Sequence, residues 1–319
     1  MESSPNIAYP TTAAAPPSDS LRARVVAALL GLPILLALIG MDATPEWHGT
    51  TLLLLVLFVA GIGAEELSAL LAHRGLTSVP QLALMVATIP PLLAFVYGRA
   101  EIPVLLLASS IIIALNILFI ALGVVPDILH RGWPGLRDAV LIIFGSAVIG
   151  GGYSFILLLR KPLGNLFAGG APLPTDLHIA FPAMGWWAVA ALFLLVWTTD
   201  TLAYFVGRTV GGPKLAPAIS PKKTWSGTLA GVAGATVLAV ALNQLPHAPR
   251  FALPLAAAIG ASVGAAAVLG DLLQSAVKRA CAVKDSGSFV PGHGGILDRF
   301  DSMLFAAPTL FFFLWWALR

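Results

Sequence analysis

The sequence predicts an all-α fold: a polytopic integral membrane protein with about nine transmembrane helices and a cytoplasmic N-terminus. Three observations predict it. The 319 residues are 58% hydrophobic and 10% charged with a mean hydropathy of +0.90, which leaves too little polar surface to cover a water-soluble core of this size. Apolar runs long enough to cross a hydrocarbon layer, which takes roughly 20 residues, recur from residue 22 to residue 317. The basic residues concentrate in alternate gaps between those runs.

Residues 1–20 are rich in Pro, Ala and Ser without an apolar period and read as a disordered cytoplasmic tail. They lack the basic n-region, short apolar core and small-residue cleavage site of a signal peptide. The spans fall near 22–41, 50–72, 79–98, 102–125, 137–159, 179–207, 225–245, 252–280 and 295–317. Residues 21–178 thus form an N-terminal set of transmembrane helices, and 179–319 a C-terminal transmembrane region that holds the chemistry. The connection 160–178 reads as an external linker, and the Ala- and Gly-rich stretch 228–269 suits close helix packing in lipid. No internal repeat or soluble domain is evident.

The loop charges set the orientation. Arg22, Arg24, His73, Arg74, Arg131, Arg137, Arg208, Lys214, Lys222, Lys223, Lys278, Arg279 and Lys284 share one side. Asp42, Glu46, Arg99, Glu101, Asp176, Arg250 and Arg319 lie on the other, and Arg160 with Lys161 fits this division least well. The positive-inside rule puts the first group and the N-terminus in the cytoplasm and the C-terminus outside, which requires an odd number of spans. The single Cys281 excludes an intramolecular disulfide and a cysteine zinc site, and reads as a small apolar filler.

Against this background residues 271–302, DLLQSAVKRACAVKDSGSFVPGHGGILDRFDS, stand out for their charge. A carboxylate taken into hydrocarbon loses its hydration at a cost of about 3 kcal/mol, so such groups pair, face water or bind a ligand. On a helix Asp271, Ser275 and Lys278 share a face, as do Asp298, Asp301 and Ser302 on the next. Mg²⁺ takes oxygen ligands and bridges one or two carboxylates to phosphates, which suits Asp271 with Asp298; the competing reading has Lys278, Arg279 and Arg299 neutralise the aspartates. Pro291-Gly292-His293-Gly294-Gly295 reads as a tight connection into a helix whose amides attract phosphate, with His293 either contacting phosphate or capping the helix.

Two further clusters belong with it. In ISPKKTWSGTLAG, Lys222 and Lys223 precede a helix and either bind polyphosphate or anchor the cytoplasmic side. In WTTDTLAYFVGR, Asp200 lies late in an apolar run with Thr199, Thr201 and Tyr204, and either binds a metal or ligand or pairs with a lysine of the next loop. Glu65 and Glu66, near another helix end, read as interfacial.

The run from Ser275 to Asp301 resembles the signature of the phosphatidate cytidylyltransferase (CDP-diacylglycerol synthase) family. SPKKTWSG and the pattern W-x-x-D-T-x-A-Y-x-x-G extend the likeness over about residues 197–302, while the first half matches only as a hydrophobic multi-helix region. Val290 stands where the family pattern has a larger Ile or Leu.

The resemblance implies an integral membrane nucleotidyltransferase of phospholipid biosynthesis that converts CTP and phosphatidic acid into CDP-diacylglycerol and pyrophosphate. It implies Mg²⁺ as cofactor, with a second cation left open. Asp271, Asp298, Asp301, Lys278 and His293 are its catalytic candidates, and Asp271 and Asp298 its metal ligands. Substrate contacts are expected from Ser220, Lys222, Lys223, Thr224, Asp200, Ser275, Arg279, Lys284, Asp285, Gly294, Gly295 and Arg299. The partners implied are CTP, phosphatidic acid and the lipid bilayer, with no nucleic acid and a homodimer left open. The expected place is a bacterial-type cytoplasmic (inner) membrane, with the site facing the cytoplasm. A CTP-dependent kinase of a polyprenol-type lipid is the nearest rival. A secondary transporter is disfavoured, because the charges gather at one face and the two halves are dissimilar.

Overall fold

The computed structural model describes residues 49–76, 80–96, 129–160, 175–245, 250–287 and 294–317, with a few isolated positions besides. In chain order the elements are α1 (Thr50–Ala72), α2 (Pro80–Val96), α3 (Trp133–Arg160), α4 (Thr175–Thr209), β1 (Lys214–Ala216), β2 (Ser220–Thr224), α5 (Trp225–Leu242), α6 (Leu253–Ala280), α7 (Leu297–Phe300) and α8 (Met303–Ala317). Among the described residues six segments are long and apolar enough to cross a membrane: α1, α3, Gly185–Thr209 of α4, α5, α6, and Leu297–Ala317, where α7 runs into α8. This is an all-α membrane protein.

Lipid offers no partner to a backbone N–H or C=O, so an apolar run of this length satisfies its polar backbone only by coiling into a helix. The six segments coincide with expected spans to within a few residues. The expected span at 79–98 is the shorter α2, with 17 residues and Pro90 and Pro91 inside it. The tail 1–20 and most of the expected spans at 22–41 and 102–125 lie outside the described residues.

One core runs through the bundle, with Leu52 and Val59 of α1, Ile142 and Tyr153 of α3, Leu192 of α4, Val263 of α6 and Leu310 of α8 in a single cluster. Helices this apolar are oriented by shape, and the small residues supply it. A Cβ placed on Gly231 would lie 2.6 Å from the Thr199 carbonyl oxygen of α4, and one on Gly260 of α6 2.6 Å from that of Ala235. Backbones of α4, α5 and α6 therefore touch through glycines.

The lysine segment departs from the purely helical expectation. β1 and β2 pair antiparallel, Lys214 opposite Thr224 and Ala216 opposite Ser220. Pro213, Pro217 and Pro221 punctuate this segment, and a proline removes the N–H that a helix interior needs. The Trp225 amide donates to the Pro213 carbonyl at 3.0 Å, which closes the hairpin against the start of α5.

Candidate active site

The site begins where α6 crosses the α7–α8 junction. Gly270 makes the crossing close, since a Cβ there would lie 2.5 Å from the Asp301 carbonyl oxygen. The next residue, Asp271, has a side chain 30% exposed, and its Oδ2 is 2.7 Å from Nζ of Lys223 on β2. Its Oδ1 accepts from the Ser275 hydroxyl at 3.2 Å, as the i, i+4 spacing predicts. Thr224 fixes the hairpin relative to α5: its Oγ1 accepts from the Gly227 amide at 3.2 Å as the helix cap.

Two more carboxylates adjoin Asp271. Asp200 of α4 is exposed and lies within electrostatic reach of Asp271 and Lys223. Asp301 is buried, takes the Ser302 amide on Oδ1 at 2.7 Å, and lies within electrostatic reach of Asp271 and Asp200. Thr199 does not join them; it is fully buried, and its hydroxyl donates to the Leu195 carbonyl at 2.8 Å. Tyr204 instead accepts from Arg208 at 2.7 Å.

Asp298 and Asp301 both adjoin Lys278, Asp301 within its electrostatic reach and Asp298 in direct contact with it. The Asp298 side chain is 7% exposed, and its Oδ1 is 2.6 Å from the Lys278 Nζ. Its Oδ2 accepts the Ser286 amide at 2.8 Å and the Gly295 amide at 3.0 Å. The reading of charge neutralisation thus holds in part, with Lys278 and Lys223 as the cations. Arg279 serves the backbone instead, donating to the Ile219 carbonyl at 3.3 Å and the Val283 carbonyl at 2.9 Å.

Glu66 corrects the interfacial reading. It is 8% exposed and accepts from the Ser286 hydroxyl and from the Ile296 and Leu297 amides, each at 2.9 Å. The glycines of the connection also approach protein carboxylates. Gly294 has a φ of 83°, and a Cβ there would lie 2.7 Å from the Asp298 Oδ2. At Gly287 a Cβ would lie 2.7 Å from the Glu66 Oε1.

Lys222, Lys284, Asp285 and Arg299 are exposed, and Ser220 is half-buried in β2. Thr224 is buried, and its hydroxyl oxygen accepts the Gly227 amide as the helix cap. His293 lies outside the described residues. Cys281 is buried as expected, and burial pushes its thiol above the usual range, with nearby Arg74 pulling it partly back.

Among the described residues no group of three or more His, Cys, Asp or Glu side chains is gathered to hold a metal alone. Mg²⁺ needs only one or two carboxylates when phosphates and waters fill the remaining positions. Asp271 fits that requirement, with hard oxygens, partial exposure and two more carboxylates in electrostatic reach. Both oxygens of each aspartate already have partners, Lys223 and Ser275 at Asp271 and Lys278 with two amides at Asp298, and Asp298 fits less readily because it is the more buried.

Membrane-length helices with aspartates, lysines and glycines gathered at one end place the chain among all-α membrane proteins with a charged site at the end of the bundle. The chain belongs to the Cytidylyltransferase family, whose model matches residues 22–317. It is similar to the Phosphatidate cytidylyltransferase of Brucella abortus biovar 1 (strain 9-941), with 42% identity over 151 residues, 47% of this chain and 55% of that protein. The Phosphatidate cytidylyltransferase of Bacillus subtilis (strain 168) is 49% identical over 124 residues, 38% of this chain and 45% of its own length. Phosphatidate cytidylyltransferase 4, chloroplastic, of Arabidopsis thaliana is 31% identical over 276 residues, 81% of this chain and 66% of that protein. The matches thus span about half the length of the two bacterial relatives.

Proposed function

We propose that the protein transfers CMP from CTP to phosphatidic acid, giving CDP-diacylglycerol and pyrophosphate, at the cytoplasmic face of a bacterial-type inner membrane. The observation that carries this reading is Lys223 of the hairpin against Asp271 of α6, 2.7 Å apart, with Asp200 and Asp301 in electrostatic reach. Cationic and anionic side chains meet there at one end of an apolar bundle. A lipid headgroup and a water-soluble triphosphate have the same meeting place. The relatives, named for cytidylyl transfer to phosphatidate, support the same acceptor and the same transferred group.

The lipid's phosphate oxygen is already ionised near neutral pH, so it attacks the α-phosphorus of CTP without a strong general base. A phosphorus–oxygen bond forms there, the bond from the α-phosphorus to the bridging oxygen breaks, and pyrophosphate leaves with the electron pair. What the reaction asks of the protein is alignment of two anions and neutralisation of their charge. Lys222, Lys223 and Lys278 supply positive charge, and Asp271 fixes the position of Lys223. Bound Mg²⁺ supplies Lewis-acid neutralisation of phosphate charge. Asp271 would hold it on exchanging Lys223 for the ion, and Asp298 would join by exchanging Lys278 in the same way.

The same reading includes nine spans with the N-terminus in the cytoplasm. Its support is that basic loops distant in sequence meet at one end: the Arg74 Nε donates to the Ala280 carbonyl, and Arg279 donates to that of Ile219.

The test is turnover of CTP with phosphatidic acid in detergent micelles, with and without Mg²⁺, assaying pyrophosphate and CDP-lipid together. Both products should form in equal amounts and only with Mg²⁺, and Asp271→Asn should lower the rate by about 100-fold or more with the thermal midpoint retained. Release of CDP in place of pyrophosphate would assign the protein to lipid kinases. Well-folded protein that makes no CDP-lipid would overturn the proposal.

A further inference from the structure

We infer that Glu66, on α1, is a positioning residue for the reaction proposed above: it ties Ser286 to the start of α7 in the arrangement that seats Asp298 and Lys278. The inference rests on that reading for its kinetic consequence alone. Glu66 belongs to the N-terminal half of the chain, which carries none of the motifs, yet its carboxylate is 8% exposed and takes three hydrogen bonds from residues 220 to 231 positions away.

A buried carboxylate is tolerated only where donors replace its lost hydration. Here the donors are Ser286, which follows α6, and Ile296 and Leu297 at the start of α7. Glu66 and Asp298 also grip the chain at the same two places. Ser286 gives its hydroxyl to Glu66 and its amide to Asp298. Further along, the Gly295 amide goes to Asp298 and those of Ile296 and Leu297 go to Glu66. Asp298 in turn holds Lys278 at 2.6 Å. A shift of Glu66 would therefore move Ser286, Asp298 and Lys278 as a unit.

The glycines carry the same imprint. The three atoms nearest a Cβ on Gly287 all belong to Glu66, at 2.7, 2.9 and 3.1 Å. Gly287 is thus small because Glu66 is there, and Gly295 is enclosed between Glu66 and Ser286. Both Glu66 oxygens accept these protein donors, so its effect passes through them.

A double-mutant cycle between Glu66→Ala and Gly287→Ala tests the inference, read by kcat and KM for CTP, thermal midpoint, and hydrogen exchange of the Ile296 and Leu297 amides in lipid nanodiscs. Misplacing catalytic groups by about 1 Å costs on the order of 100-fold, so Glu66→Ala should lower kcat by about that factor while KM changes less than about threefold. Glu66→Gln keeps the shape but turns an N–H₂ toward donors, and should lower kcat about tenfold. Gly287→Ala alone should also lower kcat about tenfold, yet cost nothing further in the Glu66→Ala background, where the obstructing side chain is gone. Exchange at Ile296 and Leu297 should quicken in both Glu66 variants without unfolding the bundle. Wild-type kcat in Glu66→Ala, fold-losses that multiply across the cycle, or unchanged exchange would each overturn the inference. If the wild-type protein makes no CDP-lipid, the proposed reaction fails while the exchange measurement still decides the role of Glu66.

Discussion

Two ion pairs of nearly equal length do different work because their surroundings differ. Lys278 and Asp298 are 11% and 7% exposed, whereas Lys223 and Asp271 are 25% and 30% exposed. Removing one partner of a buried pair leaves an uncompensated charge, so Lys278→Ala should destabilise the protein by about 3 kcal/mol. The wetter pair is worth less than about 1 kcal/mol, so Lys223→Ala should hold its thermal midpoint while losing turnover. Thermal unfolding in detergent beside the CTP assay separates the two. Cys281 adds a pH test. Its thiol is pushed upward by burial, so the folded state holds that proton more firmly than the unfolded chain does. Its contribution to stability is full below the ordinary thiol pKa of about 8.5 and is lost as pH rises beyond it. Alkylation at neutral pH should accordingly be slow in folded protein and fast after denaturation. At this scale the i, i+4 bond from Ser275 to Asp271 was legible, because helix geometry fixes it. Glu66 was not, since a carboxylate's local spacing says nothing about a partner 230 residues away. Thr224 carries a second signal that was passed over: a threonine directly before an apolar helix is also a cap, and its hydroxyl oxygen accepts the Gly227 amide.

Helices were the most legible elements, because hydrocarbon permits so few backbone solutions. The hairpin was not legible, because SPKKT carries charge and proline but no alternating apolar pattern, and its pairing depends on the start of α5. The limits of α2 were also obscured, by Pro90 and Pro91 inside an apolar run. What apolarity hides is which face of each helix meets which neighbour, and the glycines decide that. A Cβ at Gly231 would lie 2.6 Å from the Thr199 carbonyl, which is backbone and cannot swing aside. Gly231→Ala should therefore push α5 from α4 and cost about 1–3 kcal/mol, seen as a lower thermal midpoint. Gly151, inside α3, has nothing within 4 Å of the same added atom. There Ala should leave the midpoint unchanged or raise it, by up to about 1 kcal/mol of helix propensity. Equal midpoints for the two variants would mean that the α4–α5 contact is looser than the structure has it.

For the molecule as a whole, the remaining question is which end of the bundle faces the cytoplasm. α5 and α6 run antiparallel, and their ends differ in chemistry. At one end the Asn243 side chain closes the turn to α6, donating to the Phe251 carbonyl at 3.0 Å and accepting its amide at 2.8 Å, with Arg250 alongside in sequence. At the other, Lys222 and Lys223 precede α5, and Lys278, Arg279 and Lys284 close α6 and follow it. Short loops rich in lysine and arginine stay on the cytoplasmic side during insertion, and CTP is available only there. The two arguments are independent, one from biosynthesis of the chain and one from supply of substrate. Single cysteines placed in a Cys281→Ser background test both. A membrane-impermeant maleimide should label Arg250→Cys in intact cells and Lys284→Cys only in inverted inner-membrane vesicles. The reverse pattern would put the lysine hairpin, Asp271 and the start of α7 held by Glu66 outside the cell, out of reach of CTP, and the proposed reaction would fall with the orientation.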